Sequence, residues 1–181
     1  MKNRILIVVD MQNDFIYGPL GTKEAIEILP NVKEKIENYD GYIIYTKDTH
    51  DSDYLNTYEG ENLPIVHCQI NTDGWNITDK IPFTPKTDGR YLKDVYLKKT
   101  FGAKEMVEDI LKLSEDSKPD EIELIGVCTD ICVITNALSL KTYLPEVKIK
   151  VDKSCCSGVT PELHDAALKT MASCQIELTG D

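Results

Sequence analysis

With 181 residues and a net charge of −11, from 20 basic and 31 acidic side chains, the chain is long enough for one domain with a full core, expected over 1–181. It lacks the basic footprint that nucleic acid or an anionic membrane surface requires. No apolar run is long enough to span a bilayer, and the first one ends at Asp10 like a buried strand rather than a targeting segment, so a cytoplasmic protein with reduced thiols is expected.

Short apolar runs alternate with helical patterns along the chain. RILIVVD (4–10) reads as a strand. Residues 23–38 read as a helix, with Ile26, Leu29, Val32 and Ile36 at helical spacing and Pro30 marking a kink or a later start. A long polar segment, 47–92, separates the strands at 42–46 and 95–98. It holds two of the three histidines and the single tryptophan, and a compact domain rarely carries so long an irregular segment without a use for it. A helix at 103–114, a strand at 121–127, a helix at 130–143 and a strand at 147–151 follow. Thr160 and Pro161 then start a helix over 160–172, a hydroxyl cap followed by proline at the first helical position. A last strand covers 174–178. This alternation predicts an α/β fold of three layers, α/β/α, around a six-stranded, mostly parallel, Rossmann-like sheet.

Ligands of parallel sheets bind at the carboxyl ends of the strands. Asp10, Asp48 with His50, Lys98, and the run Gly126–Cys132 all fall there. Thr129 and Asp130 are good helix caps, which places Cys132 in a first turn where unpaired N–H groups and the helix dipole favour a thiolate. With Lys98 nearby and Asp10 as proton acceptor, Cys132 reads as a nucleophile, and the amides near Cys128 and Cys132 as an oxyanion cradle. A purely structural Cys132 stays open beside this reading, since free cysteine buries readily. Cys128 and Cys132 do not make a zinc finger, because no second ligand pair accompanies them. In the polar segment, Asp48-x-His50 places two ligands on one side of an extended stretch, and Glu59 and His67 follow at loop distances. Asp, Glu and two His suit zinc, iron or manganese; a set of ordinary surface residues is the alternative. His164, in a helix, reads as a structural side chain or a cap partner.

Five motifs in order, VVDMQNDF, TKDTH, LPIVHC with TDGW, LKKTFGA and GVCTDICV, resemble the isochorismatase-like cysteine hydrolases over nearly the whole chain, and within them the nicotinamidases. The resemblance implies a catalytic triad of Asp10, Lys98 and Cys132, with Lys99 the rival to Lys98. It also implies a cis peptide before Cys128, aiming that amide into an oxyanion hole shared with Cys132. It further implies one divalent metal, zinc before iron or manganese, on Asp48, His50, Glu59 and His67, with Glu61 the rival to Glu59. Phe15, Trp75 and Phe101 become ring contacts for a small amide such as nicotinamide. Another amide or ureide hydrolase, such as an N-carbamoyl amidase, and an inactive binding module on the same fold are the alternatives. Relatives often associate, so a homo-oligomer is a further expectation. At HCQINTDGW the chain departs from its relatives, which commonly carry a glycine near Asn71.

Overall fold

Six parallel strands order as β3-β2-β1-β4-β5-β6 in a computed structural model that describes residues 3–180. They are β1 (Arg4–Val9), β2 (Tyr42–Asp48), β3 (Val95–Lys98), β4 (Glu121–Val127), β5 (Lys148–Ser157) and β6 (Glu177–Thr179). Every neighbouring pair is parallel, so the sheet is wholly rather than mostly parallel and all carboxyl ends share one edge. Strand β1 shows why both faces are covered. Ile5, Ile7 and Val9 join the core beneath α5 (Lys104–Asp116), α6 (Ile134–Tyr143) and α7 (Pro161–Ser173), while Leu6 and Val8 join the core under α1 (Asn13–Ile16), α2 (Lys23–Glu27) and α3 (Leu29–Asn38). Side chains alternate across a strand, so a continuous apolar run must be buried on both sides.

Several boundaries differ from the sequence expectations. The helix expected over 23–38 is two: α2, capped by Thr22, whose hydroxyl accepts from the Ala25 amide, and α3, which has Pro30 in its first turn. Proline has no amide to donate and is tolerated only there. Strand β5 runs to Ser157, well past 151, and its register against β4 shifts between Leu124 and Gly126. The last strand starts at Glu177 rather than 174, because Cys174 and Gln175 close a turn after α7, with Gln175 at φ +65°.

The polar segment is not structureless. It contains a 3₁₀ turn (Tyr54–Asn56) and a short helix α4 (Tyr58–Asn62), capped by the Thr57 hydroxyl. Asn71 sits at φ +65°, the left-handed region that favours glycine and that asparagine tolerates better than most residues. The departure from the usual glycine is therefore compatible with the same backbone. The helix expected over 130–143 opens as a π-turn, Thr129–Val133, before α6. Neither Thr129 nor Asp130 caps it: the Thr129 hydroxyl pairs with His164 and the Asp130 carboxylate accepts from the Val159 amide. No helix among the described residues is long and apolar enough to cross a membrane.

Candidate active site

The carboxyl edge gathers side chains from four adjacent strands. Asp10 follows β1 and is fully buried with its backbone at φ +48°. Lys98 ends β3, two strands away, yet its ammonium lies 2.6 Å from Asp10 Oδ2, 3.4 Å from Cys132 Sγ and 3.5 Å from Asp48 Oδ1. Asp10 Oδ1 accepts a 2.6 Å hydrogen bond from the Thr46 hydroxyl. Its Oδ2 is the oxygen paired with Lys98. Lys99 points outward and pairs with Asp51.

Charges in this group are set by burial and by one another. Burial raises the Asp10 carboxyl and Lys98 opposes it. Burial alone would lower Lys98, but Asp10, the thiol and Asp48 together hold it well above the usual lysine range. Burial first, then the negative charge of Asp10, pushes Cys132 well up, and Lys98 only partly offsets this. Burial and Asp10 thus oppose the thiolate that the helix-start position favours, and Lys98 supports it. A further buried negative charge beside Asp10 is costly.

The peptide Val127–Cys128 is cis. The Cys128 carbonyl accepts from the amides of Ile131 and Val133 at 3.1 and 3.0 Å, which closes the π-turn. The Asn136 side chain, from α6, donates to the Cys132 carbonyl at 2.8 Å while its oxygen accepts from the Ala103 amide.

Asp48, His50, Glu59 and His67 each offer a ligand atom, all within 4.8 Å of one another. His50 Nε2 lies 3.0 Å and His67 Nε2 3.4 Å from Asp48 Oδ2, and Glu59 Oε1 is 3.7 and 4.0 Å from the two rings. Four ligands about 2.0–2.2 Å from a tetrahedral zinc stand roughly 3.3 Å apart, so the spacing fits. His67 Nδ1 donates to the Ile65 carbonyl at 2.7 Å, which leaves Nε2 with its lone pair toward the cluster. Charge fits as well. Asp10, Asp48 and Glu59 are three carboxylates facing Lys98 alone, and a divalent cation cancels that excess. Burial together with Asp48 raises Glu59, whereas burial of Asp48 is outweighed by His50, His67 and Lys98, which hold it below the usual carboxylate range. Glu61 is exposed and outside the group.

A cavity of about 310 Å³ lies between the thiol and this cluster. Its lining includes Cys132, Cys128, Asp48, Glu59, His67, Phe15 and Phe101, completed by Leu20, Thr22, Leu63, Ile131 and Val159. The last five come from four separate loops and turns; Leu63 and Ile131 fall within the LPIVHC and GVCTDICV motifs, whereas Leu20, Thr22 and Val159 lie in none. Trp75 is not in the lining. Its indole N–H donates to the Thr49 hydroxyl at 2.9 Å and Lys47 lies over its ring, so the expected ring contact is corrected to a packing role behind β2. Gln12, also unforeseen, is fully buried; it accepts from the Asp48 amide and donates to the Asp48 carbonyl, fixing the backbone of that candidate ligand.

The Isochorismatase domain model matches residues 4–180. The nicotinamidase/pyrazinamidase of Mycobacterium tuberculosis is 25% identical over 97% of each chain. The nicotinamidase of Saccharomyces cerevisiae is 27% identical over 75% of this chain and 80% of its own. A crystal structure of the pyrazinamidase of Pyrococcus horikoshii in complex with zinc superposes with a TM-score of 0.80, at 25% identity and 99% coverage of each chain. With the family model spanning all six strands and the strand-edge cysteine, the chain belongs to the isochorismatase family, among its nicotinamidase-type amidohydrolases.

Proposed function

We propose that the protein hydrolyses nicotinamide to nicotinic acid and ammonia through a thioester on Cys132, a reaction that serves NAD salvage. The observation that carries this reading is the small cavity lined by Cys132 and by Asp48, Glu59 and His67, with Lys98 and the buried Asp10 in contact behind the thiol and His50 completing the candidate metal-ligand set. Its size and largely apolar lining suit a flat heteroaromatic ring, with Phe15 and Phe101 among the walls. A metal on Asp48, His50, Glu59 and His67 would supply a Lewis-acid anchor for the ring nitrogen; zinc is the first choice and iron or manganese the alternatives.

The chain's own groups then act in order. Asp10 takes the proton from Cys132 as sulfur attacks the carboxamide carbon. Lys98, in contact with both, keeps Asp10 ionised as an acceptor and stabilises the sulfur while it is anionic. The amides of Cys128 and Cys132 receive the oxyanion. Asp10 returns the proton to the departing ammonia, then deprotonates the water that opens the thioester.

Ammonia release from nicotinamide, measured before and after chelation and zinc return, tests the reading. Release that is lost and restored supports it. Release indifferent to chelator overturns the metal-anchored mode, and no release from nicotinamide overturns the substrate.

A further inference from the structure

His164 lies outside the cavity, yet it is tied to the turn that carries Cys132. It is half-buried in the first turn of α7, and its Nδ1 shares a 2.8 Å hydrogen bond with the Thr129 hydroxyl. Thr129 directly follows Cys128 and is fully buried. This is its hydroxyl's one hydrogen bond among the described residues, and a buried hydroxyl needs a partner. Two further links join the same elements. The Val159 amide donates to Asp130 Oδ1 at 2.9 Å. Gly158 packs so closely that a Cβ there would lie 2.8 Å from Asp130 Oδ1 and 2.9 Å from the His164 amide. The nucleophile turn is a π-turn, a form found frequently at functional sites. Its inner side is closed by the Cys128 carbonyl and its far end is held by Asn136. Its flank, Thr129–Asp130, is held from α7 and the turn before it.

We infer that His164 is a positioning residue, which through Thr129 holds the Cys128–Cys132 turn in register with Lys98 and Asp10. This rests on the reading of Cys132 as the nucleophile. Thr129 and Asp130, which look like helix caps, serve instead as the two anchor points of this brace. Misplacement of reacting groups by about 1 Å can cost about a hundredfold in rate; the turn lends Cys128 and Ile131 to the cavity, but the two aromatic walls, Phe15 and Phe101, together with Leu20, Thr22 and Leu63, come from other elements. Loss of the brace therefore affects the chemical step and spares binding.

The test uses H164A, H164N, T129V and the T129V/H164A double variant. Two readouts are taken: steady-state amide hydrolysis and the rate at which iodoacetamide alkylates Cys132, followed by mass spectrometry of that peptide. H164A and T129V are each expected to lower kcat about 10–100-fold with KM within about twofold, and to slow Cys132 alkylation. Asparagine places a polar atom near the Nδ1 position, so H164N should recover most of both. The double variant should be no worse than the poorer single one, because both changes cut one link. Multiplying effects in the double variant, a KM change matching the kcat change, or alkylation unchanged in H164A and T129V alike would overturn the inference. If the unmodified protein hydrolyses no amide, the functional reading fails, while alkylation of Cys132 still decides whether the brace sets thiol reactivity.

Discussion

Two groups of buried charge lie on the same sheet, and they are built on opposite terms. Toward the amino ends of β4 and β5, each charge has an answer. Lys35, from α3, bridges Asp152 at 2.6 Å and Glu123 at 3.1 Å, Lys150 pairs with Glu121 at 2.8 Å, and Arg4 pairs with Glu121 as well. At the carboxyl edge, three carboxylates face a single ammonium and two imidazoles converge on one point. Closed pairing is what a structural network needs. An unanswered excess, held in place by the fold, is what a metal and a reaction need.

The sharpest way to break the comparison is at the carboxyl edge itself. Cys132→Ala should lower amide hydrolysis by about a thousandfold or more and shift thermal melting by no more than about 4 °C. Asp10→Asn should follow it in activity. Turnover surviving in Cys132→Ala would remove the nucleophile from the scheme. Asp48→Ala or His50→Ala should lose bound metal and activity together, read by metal analysis beside the ammonia assay. Full metal content in either variant would show that the ligand set is wrong. Chelation should also destabilise the protein, since an ion bound only by the folded state stabilises it by about 3 kcal/mol at a hundredfold excess over Kd.

Much of this was legible in the sequence, for physical reasons that differ by region. The strand RILIVVD is a nearly continuous apolar run that only burial on both faces explains, and EIELIGV becomes one after Glu123. Their carboxyl ends in a parallel sheet bring Asp10, Asp48, Lys98 and Cys128–Cys132 to one edge, wherever the intervening loops travel. What could not be read is whatever depends on short elements or on which way one side chain turns. Helices α1 and α4 are 4 and 5 residues long, too short for a helical period to repeat. The segment DKSCCS in β5 lacks any strand pattern and is held by pairing with β4 beyond the register shift. Thr129 and Asp130 have the right chemistry for caps, but tertiary partners on α7 and the preceding turn take both side chains. Trp75 looks like a ring contact by proximity to the motif, yet it is claimed by Thr49 and Lys47.

The amino-end network makes the converse prediction. Lys35→Met leaves Glu123 and Asp152 buried without their shared cation, and should cost about 1–3 kcal/mol of stability, the partial exposure of Lys35 keeping it toward the lower figure. Activity per folded molecule should be unchanged, which separates this cluster from the carboxyl edge.

The smallest effect expected is the pH dependence of that network. Burial of Asp152 acts to raise its carboxyl, but Lys35 and the Ser154 hydrogen bonds outweigh it and hold the group below the ordinary carboxylate range. A carboxyl depressed by folding contributes stability that is fully present above its unfolded pKa, near 3.9, and is lost as pH falls through the lower folded value. Lys35 is shifted the other way: burial would lower it, but Asp152 and Glu123 raise it, so its contribution is intact below its unfolded pKa, about 10.4. Between about pH 5 and 9 both contributions are complete. Urea unfolding of wild type and Asp152→Asn should therefore show a constant stability gap across that range, and the gap should narrow below about pH 4. A gap that holds its full size at pH 3 would mean that Asp152 stabilises this region by packing and hydrogen bonding alone, and the contrast between an answered and an unanswered set of charges would lose one of its two sides.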